Sequence, residues 1–448
     1  EICQLNGIDP LIERSRSGKG AHIWIFFDKP ISAILARNFG NALLDKGAEQ
    51  VNLKSFKYYD RMIPAQDSMP KGGLGNLIAL PLQGRALKDG NSAFIDENWN
   101  AYSNQWNILW SKPKLSQVFI EEKIKEIIEE KGNYDNALEG QAPSSDMIIS
   151  MIRESMGFAN YNLNTVEIYT KFETITDSGN EVGLWRYYPR NLDRNKNNKA
   201  LVFFHGGGWI GGTTYVVENF CKLIAEKANC VVFNVDYSLA PEKPYPNGLN
   251  DNYYAVKHIY DNAEKYRIDK SKIAVAGDSA GGNYAAAISL KARDEEVPMI
   301  ALQVLIYPAV AIGNACVQGY KWSEDMIEIA TELEEKVRPL TGLGRPSKDL
   351  SDPMLASYLP SFDLVNDPYV SPMMAKSHAN LPKAILVGAE FDGLRIQTEF
   401  YAKQLQDAGV DVTCYRYKGM THAFIDKLGF VPQAEDLADV ISDAIKNL

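Results

Sequence analysis

From about residue 164 onward the hydrophobic positions follow a regular, punctuated rhythm. Val166–Thr174 and Val182–Tyr188 alternate apolar and polar residues on either side of Asp177-Ser-Gly-Asn180, the pattern of a β-hairpin with one buried face. Leu201–Phe204, Val231–Val235, Ile273–Ala276, Leu302–Tyr307, Ile385–Gly388 and Val412–Tyr417 are short runs bounded by Gly, Pro, Asn or Asp. Most of these runs are separated by enough chain for a helix. Continuously apolar strands alternating with helices predict a sheet covered on both faces, so the expected fold class is α/β, with eight mostly parallel strands and an antiparallel pair first. The interval from Ala309 to Met373 is too long for a simple crossover and is expected to supply helices to a lid or pocket wall.

The front of the chain reads differently. His22–Phe27 is strand-like, Ile31–Lys46 helical, and Lys71–Asn76 glycine-rich. Further on, Ile124, Ile127 and Ile128 share one face at helical spacing, and the polar loop Gly140–Asp146 ends in a helix cap before an apolar helix from Met147. These shifts predict a small N-terminal α+β segment over 1–112, linker and cap helices over 113–163, and an α/β domain over 164–448 with an insertion at 309–373. The helices at 115–160 are expected to roof the pocket of that domain.

Charge sharpens this division. The 448 residues carry a net charge of −10, but residues 1–115 hold 14 basic and 11 acidic side chains, or +3, leaving −13 for the rest. That balance argues against nucleic acid as a partner of the whole surface. No apolar run approaches the ~20 residues that span a bilayer, because the longest, Val297–Val317, is broken by Pro298, Gln303, Pro308 and Asn314. No membrane association is expected. Five cysteines without a C-x-x-C pair point to a reducing, cytoplasmic setting rather than to a disulfide framework or zinc site.

The chemistry concentrates in three places. Gly277-Asp278-Ser279-Ala280-Gly281 lies between a strand-like run and a helical one, which is the context G-x-S-x-G requires. A sharp strand-to-helix turn exposes the Ser279 hydroxyl at the sheet's carboxyl edge, and the helix behind it offers free amides to a developing oxyanion. His205-Gly206-Gly207-Gly208-Trp209 follows the strand Leu201–Phe204, and its glycines let backbone N–H groups converge on a substrate oxygen. A phosphate loop would need a Lys and a Ser or Thr at set spacing, and neither is present. The hydroxyl needs a base. Of the five histidines, His22 lies in the other segment, His205 braces the glycine loop, His258 sits on a helix surface and His378 in a loop before Leu381-Pro382. His422, after the last strand, is the one placed to reach Ser279. Glu390 and Asp392, after Ile385–Gly388, both qualify by position as the acid that orients it, while Asp392 also suits a helix N-cap.

Taken together, His205–Trp209, Asp236-Tyr-Ser-Leu-Ala-Pro-Glu242, Gly277–Gly282, Asp367–Pro372, Glu390–Arg395 and Gly419–Phe424 resemble the hormone-sensitive-lipase-like family of α/β-hydrolase esterases, over roughly residues 150–448. The resemblance implies an α/β-hydrolase fold with a helical cap. It also implies a serine carboxylester hydrolase without metal or cofactor, acting on a small-molecule ester. Carried over by position, Ser279 is the nucleophile, Asp392 the acid and His422 the base. Ala280 with Gly207 and Gly208 forms the oxyanion hole, and Gly206 is a further candidate donor. Trp209 and Tyr215 are expected to shape the substrate pocket, and the absence of a long apolar stripe points to short acyl chains. Two positions depart from the family pattern: Ser238 replaces its usual Arg, and Ile396-Gln397 stands where a second acidic residue is usual.

Glu13–Phe27, Tyr59-Asp60-Arg61 and Asp67–Gln83 resemble the later part of an archaeo-eukaryotic primase domain of the kind found in mobile-element conflict systems. That resemblance implies that His22 contacts nucleotide phosphate and that Asp60 is a later acidic residue. The family's D-x-D metal ligands would lie upstream of Glu1, so the segment is expected to be truncated and non-catalytic. Nucleotide or nucleic-acid binding through Arg14, Arg16, Lys19 and His22 is the alternative function. An uncovered edge strand predicts burial against the esterase segment or a partner chain, as in a homodimer.

Overall fold

The computed structural model describes residues 2–15, 20–50, 81–82, 84–137, 145–158, 160–177 and 179–448. Arg16, Lys19, Asp60 and the glycine-rich stretch 71–76 lie outside the described residues. The chain divides into two compact units, Glu1–Ala142 and Pro143–Leu448.

In the second unit eight strands form one sheet: β1 Ile168–Asp177, β2 Asn180–Pro189, β3 Asn198–Phe204, β4 Val231–Asp236, β5 Ile268–Asp278, β6 Leu302–Ile306, β7 Lys383–Phe391 and β8 Val412–Thr421. Their spatial order is β1-β2-β4-β3-β5-β6-β7-β8. β1 and β2 form the hairpin read from the sequence, β2 pairs antiparallel with β4, and every later pairing is parallel. The chain is thus an α/β-hydrolase in architecture as well as in motif order.

The strands read as unbroken apolar runs because helices cover both faces. The longer helices of this unit, labelled α1 to α7, are Ser145–Glu154, Glu218–Ala228, Asn247–Asp261, Ala280–Asp294, Pro353–Tyr358, Leu394–Asp407 and Pro432–Lys446. Ala200, Val202 and Phe204 of β3 pack in one core with Leu249 and Val256 of α3, Ala286 of α4 and Leu405 of α6. The intervening Leu201 and Phe203 point the other way, into a core with Phe220 and Ile224 of α2 and Leu437 and Ile441 of α7. The period of two along each strand therefore divides its side chains between two helical layers. Asn229 closes α2 in the left-handed region (φ 47°, ψ 58°), and Pro432 opens α7, both common terminus signals.

The insertion after β6 holds mostly single turns, with α5 its longest helix, N-capped by the Asp352 carboxylate on Met354 and Leu355 N–H. Gly313, Gly342–Asp349, Met354 and Leu355 of this insertion line the cleft, so its wall is made of loop more than of helix.

In the first unit, Ala21–Trp24, Leu11–Arg14 and Phe94–Ile95 form a three-stranded antiparallel sheet. Helices Ala33–Gln50 and Gln117–Ala137 bury Phe39, Leu43, Ile120 and Ile127 against one another and Leu115. This corrects the expectation that all helices of 115–160 roof the pocket. The Ile120/Ile127 face of Gln117–Ala137 is used within the first unit, and in the second unit Ser155–Phe158, just past the helix Ser145–Glu154, lines the cleft.

Leu386, fully buried in β7, is the stability test of the two-sided sheet. Leu386→Ala is expected to cost about 2–5 kcal/mol through lost burial and the cavity left behind, read as a lower urea midpoint for the second unit.

Candidate active site

The site is assembled at the carboxyl ends of β3, β5, β7 and β8. Ser279 lies one residue past β5 and caps α4 with φ 56° and ψ −116°, a conformation an L-residue adopts at a cost of about 1–3 kcal/mol. Close packing enforces this turn. A Cβ on Gly281 would fall 1.9 Å from the Phe204 carbonyl oxygen, and one on Gly277 would fall 2.3 Å from the Gly281 backbone. The Ser279 amide is tied to the Ile306 carbonyl at 2.9 Å. The side chain is thereby aimed out of the sheet's edge, where the Ser279 hydroxyl donates to His422 Nε2 at 2.9 Å.

His422 follows β8, and its Nδ1–H donates to Asp392 Oδ2 at 2.7 Å. Asp392 is fully buried just past β7, and its other oxygen accepts the Leu394 amide at 2.9 Å. The carboxylate therefore orients the imidazole and also holds the first amide of α6, whose N-cap residue is Gly393 rather than Asp392. Glu390 is occupied elsewhere, accepting the Gly419 amide at 2.7 Å. Burial opposes protonation of His422, but the facing Asp392 carboxylate together with Asp278 and Asp426 raises the imidazole above its ordinary value. Tyr307, whose ring centroid is 4.7 Å from that of His422, backs the imidazole.

The glycine loop after β3 is held open by a residue the sequence reading passed over. Asp278, buried inside the G-x-S-x-G motif, accepts the Gly206 amide at 2.8 Å. Gly206 is thereby corrected as a candidate donor, because its N–H is already engaged. The amides of Gly207 and Gly208 have no protein acceptor among the described residues, and that of Ala280 opens α4 beside Ser279. Gly207 has φ +127°, and a Cβ there would lie 2.0 Å from the Gly211 carbonyl oxygen. At Gly208 the space a Cβ would need is filled by the Met354 sulfur. Burial pushes Asp278 up to about 6, and burial together with Asp278 pushes the nearby Asp426 up to about 8.

These groups line a cleft of about 970 Å³ that also includes Met156, Phe158, Trp209, Leu355 and Leu394. Trp209 stacks on Tyr358 with ring centroids 4.6 Å apart. Tyr215, expected in the pocket, is not among the cleft residues. It is exposed and packs against Trp185 instead. Gln397, at one of the two departures from the family pattern, accepts the Val310 and Ala311 amides at 2.8 and 2.9 Å and donates to the Ala311 carbonyl. A neutral amide thus braces the loop after β6. At the other departure, the Ser238 amide donates to Asp251.

The remaining histidines are structural in geometry. Buried His205 contacts the Gly206 carbonyl through Nδ1 at 2.7 Å, stacks on Tyr237 and is pulled down to about 4 by burial. His378 pairs with the Pro372 carbonyl. His258, expected on the surface, is half-buried between the Tyr254 and Tyr266 hydroxyls. In the first unit, His22 pairs with Glu13 at 3.1 Å, and Arg14 donates to the Gly90 and Trp99 carbonyls. No cluster of His, Cys, Asp or Glu among the described residues has the makings of a metal site. No helix among them is long and apolar enough to cross a membrane.

Comparison with known proteins finds relatives for both parts of the chain. Residues 201–426 match the family described as alpha/beta hydrolase fold, and residues 1–123 match the archaeo-eukaryotic primase domain of the TOTE conflict system. An arylesterase of Saccharolobus solfataricus is 35% identical over 233 residues, 52% of this chain and 70% of that protein. A carboxylesterase of Mycobacterium tuberculosis is 32% identical over 243 residues, 54% of this chain and 70% of that protein. A solved Pyrobaculum calidifontis esterase superposes with a TM-score of 0.55 at 31% identity, covering 67% of this chain and 89% of its own. The chain belongs to the hormone-sensitive-lipase-like family of α/β-hydrolase esterases, joined to a primase-like N-terminal segment. It is a carboxylic ester hydrolase by that membership.

The Asp278–Gly206 bond has a direct test. Asp278→Ala would leave a buried amide without an acceptor and should cost about 1–3 kcal/mol, whereas Asp278→Asn keeps the Oδ1 acceptor and most of the stability. Thermal unfolding of the two variants side by side separates them.

Proposed function

We propose that the protein cleaves short-chain carboxylic esters in two acyl-transfer steps, with Ser279 as nucleophile, His422 as base and Asp392 as the acid that orients the base. The observation that carries this reading is the unbroken line from Ser279 Oγ to His422 Nε2 at 2.9 Å and from His422 Nδ1 to Asp392 Oδ2 at 2.7 Å. Asp392 can accept only from an Nδ1–H, which leaves the Nε2 lone pair facing the hydroxyl.

In the first step the Ser279 oxygen attacks the ester carbonyl carbon and its proton passes to His422 Nε2. The carbonyl π electrons move to oxygen, and the N–H groups of Gly207, Gly208 and Ala280 receive that anion. The tetrahedral intermediate collapses, the C–O bond to the alcohol breaks, and His422 returns the proton to the leaving oxygen. Water then repeats the sequence on the acyl-enzyme with His422 as its base, releasing the acid and restoring Ser279. The acyl chain is short in this reading because the stacked Trp209–Tyr358 pair and Met354 fill the space beside the glycine loop.

The alternative, a nucleotide-binding protein acting through the front segment, finds less support. Arg14 and His22 are engaged by partners within their own unit.

Three experiments test the reading. Ser279→Ala should abolish cleavage of p-nitrophenyl acetate and butyrate in a folded protein, and retained turnover would refute it. In the wild type, kcat/KM should fall as pH drops through the His422 pKa, with a midpoint above the ordinary imidazole value of 6.5 because the shift is upward. Only the neutral imidazole accepts the serine proton, so activity is full above the midpoint and lost below it. Asp392→Asn should move the midpoint to lower pH and reduce kcat by about 10⁴-fold.

A further inference from the structure

The glycine loop that carries the proposed oxyanion donors is gripped from outside by one side chain. Arg153 sits in the last turn of α1, two residues before the stretch Ser155–Phe158 that lines the cleft. Its Nε donates to the Ile210 carbonyl at 2.5 Å, and its Nη2 donates to the Ala240 carbonyl at 2.8 Å. The two outer nitrogens also fork onto Glu242, with Nη1 to Oε1 at 2.9 Å and Nη2 to Oε2 at 2.6 Å. Between these anchors the Ala240 amide donates to the Trp209 carbonyl at 2.9 Å. One guanidinium thus joins the loop 207–211 to the segment 240–242 on both sides of their own backbone bond.

The grip reaches the donors through a very short path. Ile210 and Gly211 both return their amides to the Gly207 carbonyl, at 3.1 and 2.9 Å. Fixing the Ile210 carbonyl therefore fixes the turn whose first two residues present the Gly207 and Gly208 N–H groups. Gly211 has no room for a side chain because Arg153 and Met156 lie against it, with a Cβ falling 3.0 Å from Arg153 Cγ and 2.6 Å from the Met156 sulfur. The planar fork suits this task, since it satisfies two carbonyls and a carboxylate at once, which an ammonium cannot do in fixed geometry.

We infer that Arg153 is a positioning residue for the oxyanion hole, coupling the cap helix α1 to the placement of the Gly207 and Gly208 amides. This rests on the esterase reading above and adds to it that the cap helps set transition-state binding. Arg153 touches no reacting atom. Its loss should therefore weaken the tetrahedral state far more than the planar ground state.

The test uses the full chain, p-nitrophenyl butyrate as substrate, and two inhibitors. An aryl trifluoromethyl ketone adds the Ser279 oxygen to its carbonyl carbon, with the proton taken by His422 and the negative charge left on the ketone oxygen at the oxyanion position. A planar amide isostere of the substrate occupies the cleft without forming that anion. Arg153→Ala should lower kcat/KM about 10–100-fold, the scale of an ångström-level misplacement, mainly through kcat. The Ki of the ketone should rise by the same factor, while that of the amide changes by less than about threefold (a ceiling small beside the tenfold that 1.36 kcal/mol represents). Arg153→Lys keeps the charge and the stem against Gly211, and should show the same split with a smaller loss. A folded Arg153→Ala or Arg153→Lys enzyme with wild-type kcat/KM, or equal weakening of both inhibitors, would overturn the inference. A wild type that fails to cleave the ester brings down the esterase reading and the inference with it, whereas an active wild type with indifferent variants brings down the inference alone.

Discussion

Everything at the site depends on one turn, the left-handed backbone at Ser279 between β5 and α4. It is strained, with φ 56° and ψ −116°, and it survives because its neighbours leave no alternative. Gly277 and Gly281 let the strand and helix close to within backbone contact of each other and of β3. Fully buried Ala285, Ala286 and Ala287 seat α4 against the sheet. Core packing distributed over many residues thus holds a single residue in an unfavourable conformation. The result is that a hydroxyl and the free amide of Ala280 face the same volume.

The electrostatics follow from buried carboxylates set around a half-buried imidazole. Asp392, fully buried, meets the imidazole of His422, and the carboxylates of Asp392, Asp278 and Asp426 together raise the histidine against the cost of burial. Asp278 and Asp426, crowded into the same region, are pushed the opposite way from a salt-bridged carboxylate, to about 6 and about 8. Asp278 also anchors the glycine loop by accepting the Gly206 amide. Arg153 holds the outer side of that loop, so side-chain hydrogen bonds fix both of its flanks.

How far this was legible in the sequence varied with how local the signal was. The eight strands stood out because burial on both faces writes continuous apolar runs, and their boundaries differ from the observed ones mostly by the extra residues at each end. Ser279, Asp392 and His422 were found because each follows a strand run, where this fold gathers its loops. Asp278 was overlooked although it lies inside the motif, because an acid beside a serine carries no sequence mark of being buried. Arg153 had no signal at all, since its partners, two backbone carbonyls and the Glu242 carboxylate, lie 57, 87 and 89 positions away. Tyr215 was misplaced for a related reason: proximity to the glycine loop along the chain does not fix the direction of a side chain once the loop has turned at Gly211 and Gly212. The helix Gln117–Ala137, expected to help roof the pocket, packs on Phe39 and Leu43, because an amphipathic face shows that a helix packs, not what it packs against.

The central claim is that the Ser279 hydroxyl is the activated nucleophile, and active-site titration with a fluorophosphonate followed by peptide mass spectrometry tests it most directly. The account predicts one phosphonyl adduct per chain, on the peptide containing Ser279, formed rapidly by the wild type and nearly lost in His422→Ala. Labelling at another serine, or labelling of Ser279 at an unchanged rate without His422, would contradict it.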